Sequence, residues 1–191
     1  ETHETTFIHE VTHQIIAKSG FPRIDYDLEY ANVFVDPNHL PILQQVMSYL
    51  ISSIEHPEVY RQMTEFYDLD MKAYFDSLIV QKMRRFALPI PSNKIDRILS
   101  EQQDIVEGIE YHYYHESVKK QILDELKRVS PQAFDIVEGY LQKLPEEWYR
   151  TPIDCESTAN LILRRVIDYG ESNRLGFPNH LWKAIKVFIP S

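Results

Sequence analysis

Glycine is scarce in this chain, with 5 residues among 191. That argues against a glycine-rich phosphate loop and against a turn-rich all-β fold. Basic charge is short as well: 20 Lys and Arg face 29 Asp and Glu, a formal net charge of −9. A field of that sign repels a polyanion, so no nucleic-acid partner is expected. The densest basic run, KMRRF at residues 82–86, reads as a solvated helix face. A single cysteine, Cys155, excludes an intrachain disulfide. With no signal peptide in view, it leads to the expectation of a reducing, cytoplasmic location. Cys155 falls in TPIDCESTANL, where a helix is expected to begin, but no basic partner accompanies it, and it is read as a buried or capping-region thiol. No run of 18 apolar residues occurs, so no membrane span is expected. GxSxG, a Walker loop and a dinucleotide fingerprint are all missing. The chain opens on Glu1 rather than Met, from which further residues upstream are expected.

What is present fits a globular chain, with 43% hydrophobic and 26% charged residues. Its length suits a single domain spanning 1–191, with LPIPSN at residues 88–93 as the clearest break between possible sub-lobes 1–88 and 93–191. The periodicity predicts a mainly α fold with few or no strands. A first helix is expected over residues 5–18, with Phe7, Ile8, Val11, Ile15 and Ile16 as its apolar face, stopped by Gly20 and Pro22. Residues 23–37 are ambiguous between a strand and a short helix. Asn38 reads as a cap for a helix over 39–55, Pro57 as the start of a separate short helix, and 70–86 as another helix. One long helical stretch is expected to run to about Val129. Helices are expected to open at SPQAF and after DCESTAN, with a last one near HLWKAIKVF.

The first helix carries His9-Glu10-Val11-Thr12-His13. Two histidines four residues apart lie on one helical face, one turn apart, and both can reach one zinc ion. Glu10, beside the first of them, is placed to act as general base on a zinc-activated water and then as proton donor to a leaving group. The flanking Phe7, Ile8, Val11, Thr12, Gln14 and Ile15 are uncharged.

TFIHEVTHQI resembles the HExxH helix of the zinc metallopeptidases called zincins. The close match covers about ten residues. The resemblance implies a zincin-like helical domain of gluzincin type, with zinc on His9 and His13, Glu10 as the catalytic residue, and a protein or peptide as substrate. The metzincin extension fails, because Ile16 and Ser19 stand where glycine and histidine would be needed. EYANVF at residues 29–34 is similar to a segment of the ImmA/IrrE-type metallopeptidases, in which a nearby glutamate completes the site. Leu28 and Tyr30 occupy positions where that group would place acids.

A catalytic zinc needs a third protein ligand and an open position. Two candidates remain open, Glu29 and His56. His56 belongs to SSIEHPEVY, a polar cluster of Ser52, Ser53, Glu55 and His56 at the end of an otherwise apolar helix, in which Glu55 and His56 point in different directions. A further constellation, EGIEYHYYHES at residues 107–117, reads as a packed aromatic helix, as a distant wall of the same site with Tyr or His as an oxyanion donor, or as a second metal site. Tyr60, Phe66, Tyr67, Tyr74 and Phe75 read as core material. The leading expectation is a zinc-dependent hydrolase, a metallopeptidase open to a protein regulator. The alternative is a catalytically inactive zincin-like module for protein interaction.

Overall fold

The computed structural model describes residues 2–67 and 69–190. Nine α-helices and one two-stranded sheet make up the regular structure of these residues. The fold is mainly α, as the periodicity predicts.

Helix α1 (Thr2–Lys18) ends at Gly20, whose φ of 80° suits a residue without a Cβ. The chain then extends as β1 (Arg23–Tyr26) and turns into α2 (Leu28–Phe34), where Asp27 accepts a hydrogen bond from the Tyr30 amide. Both readings of this ambiguous segment are therefore realised in succession. A 3-10 turn (Pro37–His39) leads into α3 (Leu40–Tyr67).

Pro57 does not start a new helix; it lies inside α3. An interior proline costs about 3 kcal/mol. Ile54, Val59, Tyr60 and Met63 around it are all buried. Burying each such side chain contributes about 1.5–3 kcal/mol, so continuity wins.

The rest of the chain adds α4 (Met71–Phe86), α5 (Lys94–Tyr111), α6 (Glu116–Val129), α7 (Pro131–Leu141), α8 (Pro152–Ser172), α9 (Gly176–Lys183) and β2 (Ile185–Phe188). Asp70, Asn93 and Thr151 cap α4, α5 and α8 with their side chains. The long helical stretch expected to reach Val129 breaks at residues 112–115. Backbone bonds from the His112, Tyr113 and Tyr114 amides close a turn there, and His115 caps α6. The last helix is also shorter than expected: α9 stops at Lys183, and the β-branched, alternating Ile185-Lys186-Val187-Phe188 becomes a strand. It pairs antiparallel with β1, with Ile24 opposite Val187.

Helices α3 and α5 form the centre. Helix α3 packs against α1, α5, α8 and α9, while α5 also meets α6 and α7. The sheet packs chiefly on α3, α8 and α9. A buried clasp ties α5, α8 and α9 together. Gln102 donates to the Val166 carbonyl and to Asn179 at 3.0 Å each, and accepts from the Trp182 indole at 3.0 Å. The KMRRF run is only partly a solvated face. Arg85 pairs with Asp104 and Glu107 of α5, and Lys82 lies 3.5 Å from Glu107. No described helix is long and apolar enough to cross a membrane.

Candidate metal centre

The inward face of α1 is set by Ile16, Thr12 and His9, which are buried against α3, with Ile8, Val11 and His13 half-buried beside them. The expected apolar face is thus rotated: Phe7 and Ile15 are exposed. Thr12 tolerates the interior because its hydroxyl donates to the Ile8 carbonyl one turn back, at 2.8 Å. This rotation brings the two histidines against the turn of α3 that carries Glu55 and His56.

His9, His13 and His56 converge. Their ring centroids form a near-equilateral triangle with sides of 4.7, 5.0 and 5.1 Å. Their ligand nitrogens all lie within 4.8 Å of one another. A tetrahedral ion with bonds of about 2.1 Å holds its ligands about 3.4 Å apart, so the rings need close by little more than an ångström. His9 Nε2 is buried and has no hydrogen-bond partner. A buried polar nitrogen left unsatisfied costs about 1–3 kcal/mol, which a metal or a water would remove. Burial, and after it the charges of His56 and His13, outweigh the Glu10 contact and bring the His9 pKa down to about 4. At neutral pH that ring therefore carries the free lone pair a metal requires.

Each ring has a carboxylate at its Nδ1. Glu10 lies 3.3 Å from His9, Glu55 2.7 Å from His13 and Glu110 3.0 Å from His56. The His56 contact has the distance of an ion pair but falls outside hydrogen-bond angles. The carboxylate contacts at Nδ1 of His9 and His13 leave Nε2 of those two rings free to coordinate, the arrangement that orients histidine ligands in metalloproteins. The three carboxylates differ sharply in solvent access: the side chains are 70% exposed for Glu10, 16% for Glu55 and 3% for Glu110. Burial pushes Glu110 upward, but the charge and contact of His56, with Lys82 and Tyr114, outweigh it and hold the pKa at about 2.

Of the two open third-ligand candidates, His56 stands in the cluster. Glu29 stands elsewhere, in the first turn of α2, exposed and within the field of Lys186. Glu55 and His56 do point to different partners. The EGIEYHYYHES constellation divides in three. Glu107 and Tyr111 bond each other and turn to Arg85. His112 faces Glu138 at 3.0 Å, and His115 caps α6. Glu110 and Tyr114 alone turn toward His56, with Tyr60 alongside.

Glu110 was not singled out from the sequence. The signal was a carboxylate inside the buried run Asp104–Tyr111, in step with Val106 one turn before and Tyr114 one turn after. Tyr74, read from sequence as core, lies with its ring 5.8 Å from that of His9. Burial, and then the charges of Glu110 and Glu10, push its hydroxyl well above the ordinary range, so it stays a donor. Cys155 is fully buried, its sulfur 3.7 Å from the Ile54 carbonyl. Burial raises its pKa, so the thiol is not a nucleophile. A cavity of about 740 Å³ lined by Arg85, Leu88, Ile90 and Ser130 lies away from the histidines. Comparison with family models, with curated proteins and with solved structures finds no match for this chain.

Proposed function

We propose that this protein is a zinc-dependent hydrolase, most simply a metallopeptidase of zincin descent, with His9, His13 and His56 holding the ion. One observation carries the reading: three imidazoles converge, each backed by a carboxylate, and His9 Nε2 is buried without a partner. A zinc ion bound there supplies a Lewis acid that polarises a carbonyl and acidifies water. Three protein ligands leave the open position that catalysis needs, whereas a structural site would be closed by a fourth.

Within the protein, Glu10 is the base. Its solvent-exposed carboxylate, 3.3 Å from His9 Nδ1, would turn from that nitrogen to take a proton from a water at the cluster and return it to a leaving group. Tyr74, its ring 5.8 Å from that of His9, offers a protonated hydroxyl to an oxygen gaining negative charge. Glu55 and Glu110 hold the other two rings. A peptide substrate and a cytoplasmic location belong to the same reading, resting on the HExxH resemblance and on the lone buried cysteine.

A second reading, an inactive interaction module, is favoured by Phe7 and Ile15, exposed on the outer face of α1 beside the site. The deciding experiment is elemental mass spectrometry on purified protein and on a His9→Ala/His13→Ala variant, followed by cleavage of a mixed peptide library. About one zinc per chain, lost in the variant, with cleavage abolished in Glu10→Gln, is the expected result. Zinc bound without cleavage selects the interaction module. No zinc uptake by protein offered the metal overturns the hydrolase reading.

A further inference from the structure

Among the three carboxylates behind the histidines, one is set apart by what it touches. Glu110 reaches His56 from α5, which packs on α3. It is almost wholly buried, and three groups converge on a single oxygen, Oε1. The Tyr60 hydroxyl donates to it at 2.9 Å, the Tyr114 hydroxyl donates to it at 2.9 Å, and His56 Nδ1 lies 3.0 Å away. Tyr60 is also stacked obliquely on the His56 ring, with centroids 5.1 Å apart, and the Tyr114 ring lies 6.0 Å from that of Tyr60. The oxygen is held by two tyrosine hydroxyls, on a side chain only 3% exposed.

We propose that Glu110 is a positioning residue for the metal, fixing His56 as the Nδ1–H tautomer and aiming its Nε2 lone pair at the cluster. This rests on the metal-site reading above. The argument is one of donors and acceptors. An oxygen that already receives two hydroxyl protons is an acceptor, so a ring nitrogen 3.0 Å from it is favoured in its protonated form, by electrostatics rather than by an aligned hydrogen bond. Once the ring is neutral, its one N–H lies at Nδ1 and Nε2 is bare. Tyr60 and Tyr114 hold the carboxylate in place, and Tyr60 also limits rotation of the ring. Glu10 cannot act this way, because water competes for it. Glu55 is more enclosed than Glu10, but no tyrosine holds it. The three ligands are thus unequal: the two on α1 come as a pair from one helix turn, whereas His56 is aimed by a buried carboxylate two helices on in sequence.

The test uses the full chain. Zinc affinity is measured by competition with a chromophoric chelator for wild type, Glu110→Gln and Glu29→Gln, and the visible spectrum of each Co²⁺-loaded protein is recorded. Glu110→Gln is expected to bind zinc about 10- to 100-fold more weakly, the range for lost outer partners of histidine ligands. It should also shift the Co²⁺ bands, while Glu29→Gln, an exposed carboxylate outside the cluster, keeps wild-type affinity. Because Glu110→Gln can fail to fold, the tautomer is read independently in metal-free wild type by two-bond ¹H–¹⁵N correlation, where a protonated Nδ1 and a bare Nε2 on His56 are expected. An Nε2–H tautomer, or a folded Glu110→Gln with wild-type affinity and Co²⁺ spectrum, overturns the proposal while leaving the hydrolase reading intact. Wild type that takes up no zinc removes both, a result read without any variant.

Discussion

At the scale of single residues, the site depends on a few side chains whose neighbours decide their roles. Tyr74 illustrates how. Nothing in its sequence context separates it from Phe66, Tyr67 or Phe75, and all were expected as core material. In the structure its hydroxyl feels the charges of both Glu110 and Glu10, the buried and the exposed carboxylates of the cluster. Tyr74→Phe is expected to leave zinc content unchanged and to lower kcat by about 100-fold, the usual scale for losing one donor to developing negative charge. Steady-state kinetics on the peptide found in the library screen would check it; an unchanged kcat would return Tyr74 to simple packing. His9, Glu10 and His13 were legible because their chemistry is written within a single helix turn. His56 was legible only as one of two alternatives. Glu110 was not legible as a partner of His56, because that relation exists only once α5 lies against α3.

At the scale of elements, the misread boundaries share one cause, namely tertiary burial overriding a local signal. Pro57 carries a strong local instruction to begin a helix, yet the buried side chains on both sides of it hold α3 together. Ile185–Phe188 follows a helical stretch, yet it extends because β1 offers a partner strand. Where local chemistry and tertiary context agree, the sequence reading holds: Gly20 stops α1, and LPIPSN separates α4 from α5. The Gly20 stop gives a clean prediction. Its φ of 80° is unfavourable for a residue with a Cβ, and a Cβ built there meets nothing within 4 Å. Gly20→Ala should therefore cost about 1 kcal/mol through backbone strain alone, read as a lower urea midpoint with an unchanged m value and unchanged zinc content. A loss of zinc on the same substitution would mean that the α1 terminus and the metal site are coupled.

At the scale of the molecule, the histidine cluster is built at the α1–α3 contact, while a separate buried clasp holds the C-terminal elements. Gln102 is its hub, and Gly170 leaves space for it: a Cβ there would sit 1.7 Å from the Asn179 side-chain oxygen. Gln102→Leu would strip partners from the Trp182 indole, Asn179 and the Val166 carbonyl at once. At about 1–3 kcal/mol for each buried group left unpaired, the expected loss is at least about 3 kcal/mol, seen in denaturant unfolding. A loss below about 1 kcal/mol would show that water replaces the amide. Because the clasp and the histidines share no residues, zinc affinity of the folded variant should be unchanged.

The pairing of β1 with β2 also orders events in time. Ile24 meets Val187 across almost the whole chain. During synthesis at about 5–20 residues per second, β1 therefore waits roughly ten to thirty seconds after it is made for its partner strand. By then α1 and α3 have long left the ribosome, so the three histidines can gather on a nascent chain whose sheet has not yet formed. Glu110 emerges between the two events, so His56 gains its buried partner after the cluster can first assemble and before the fold is closed.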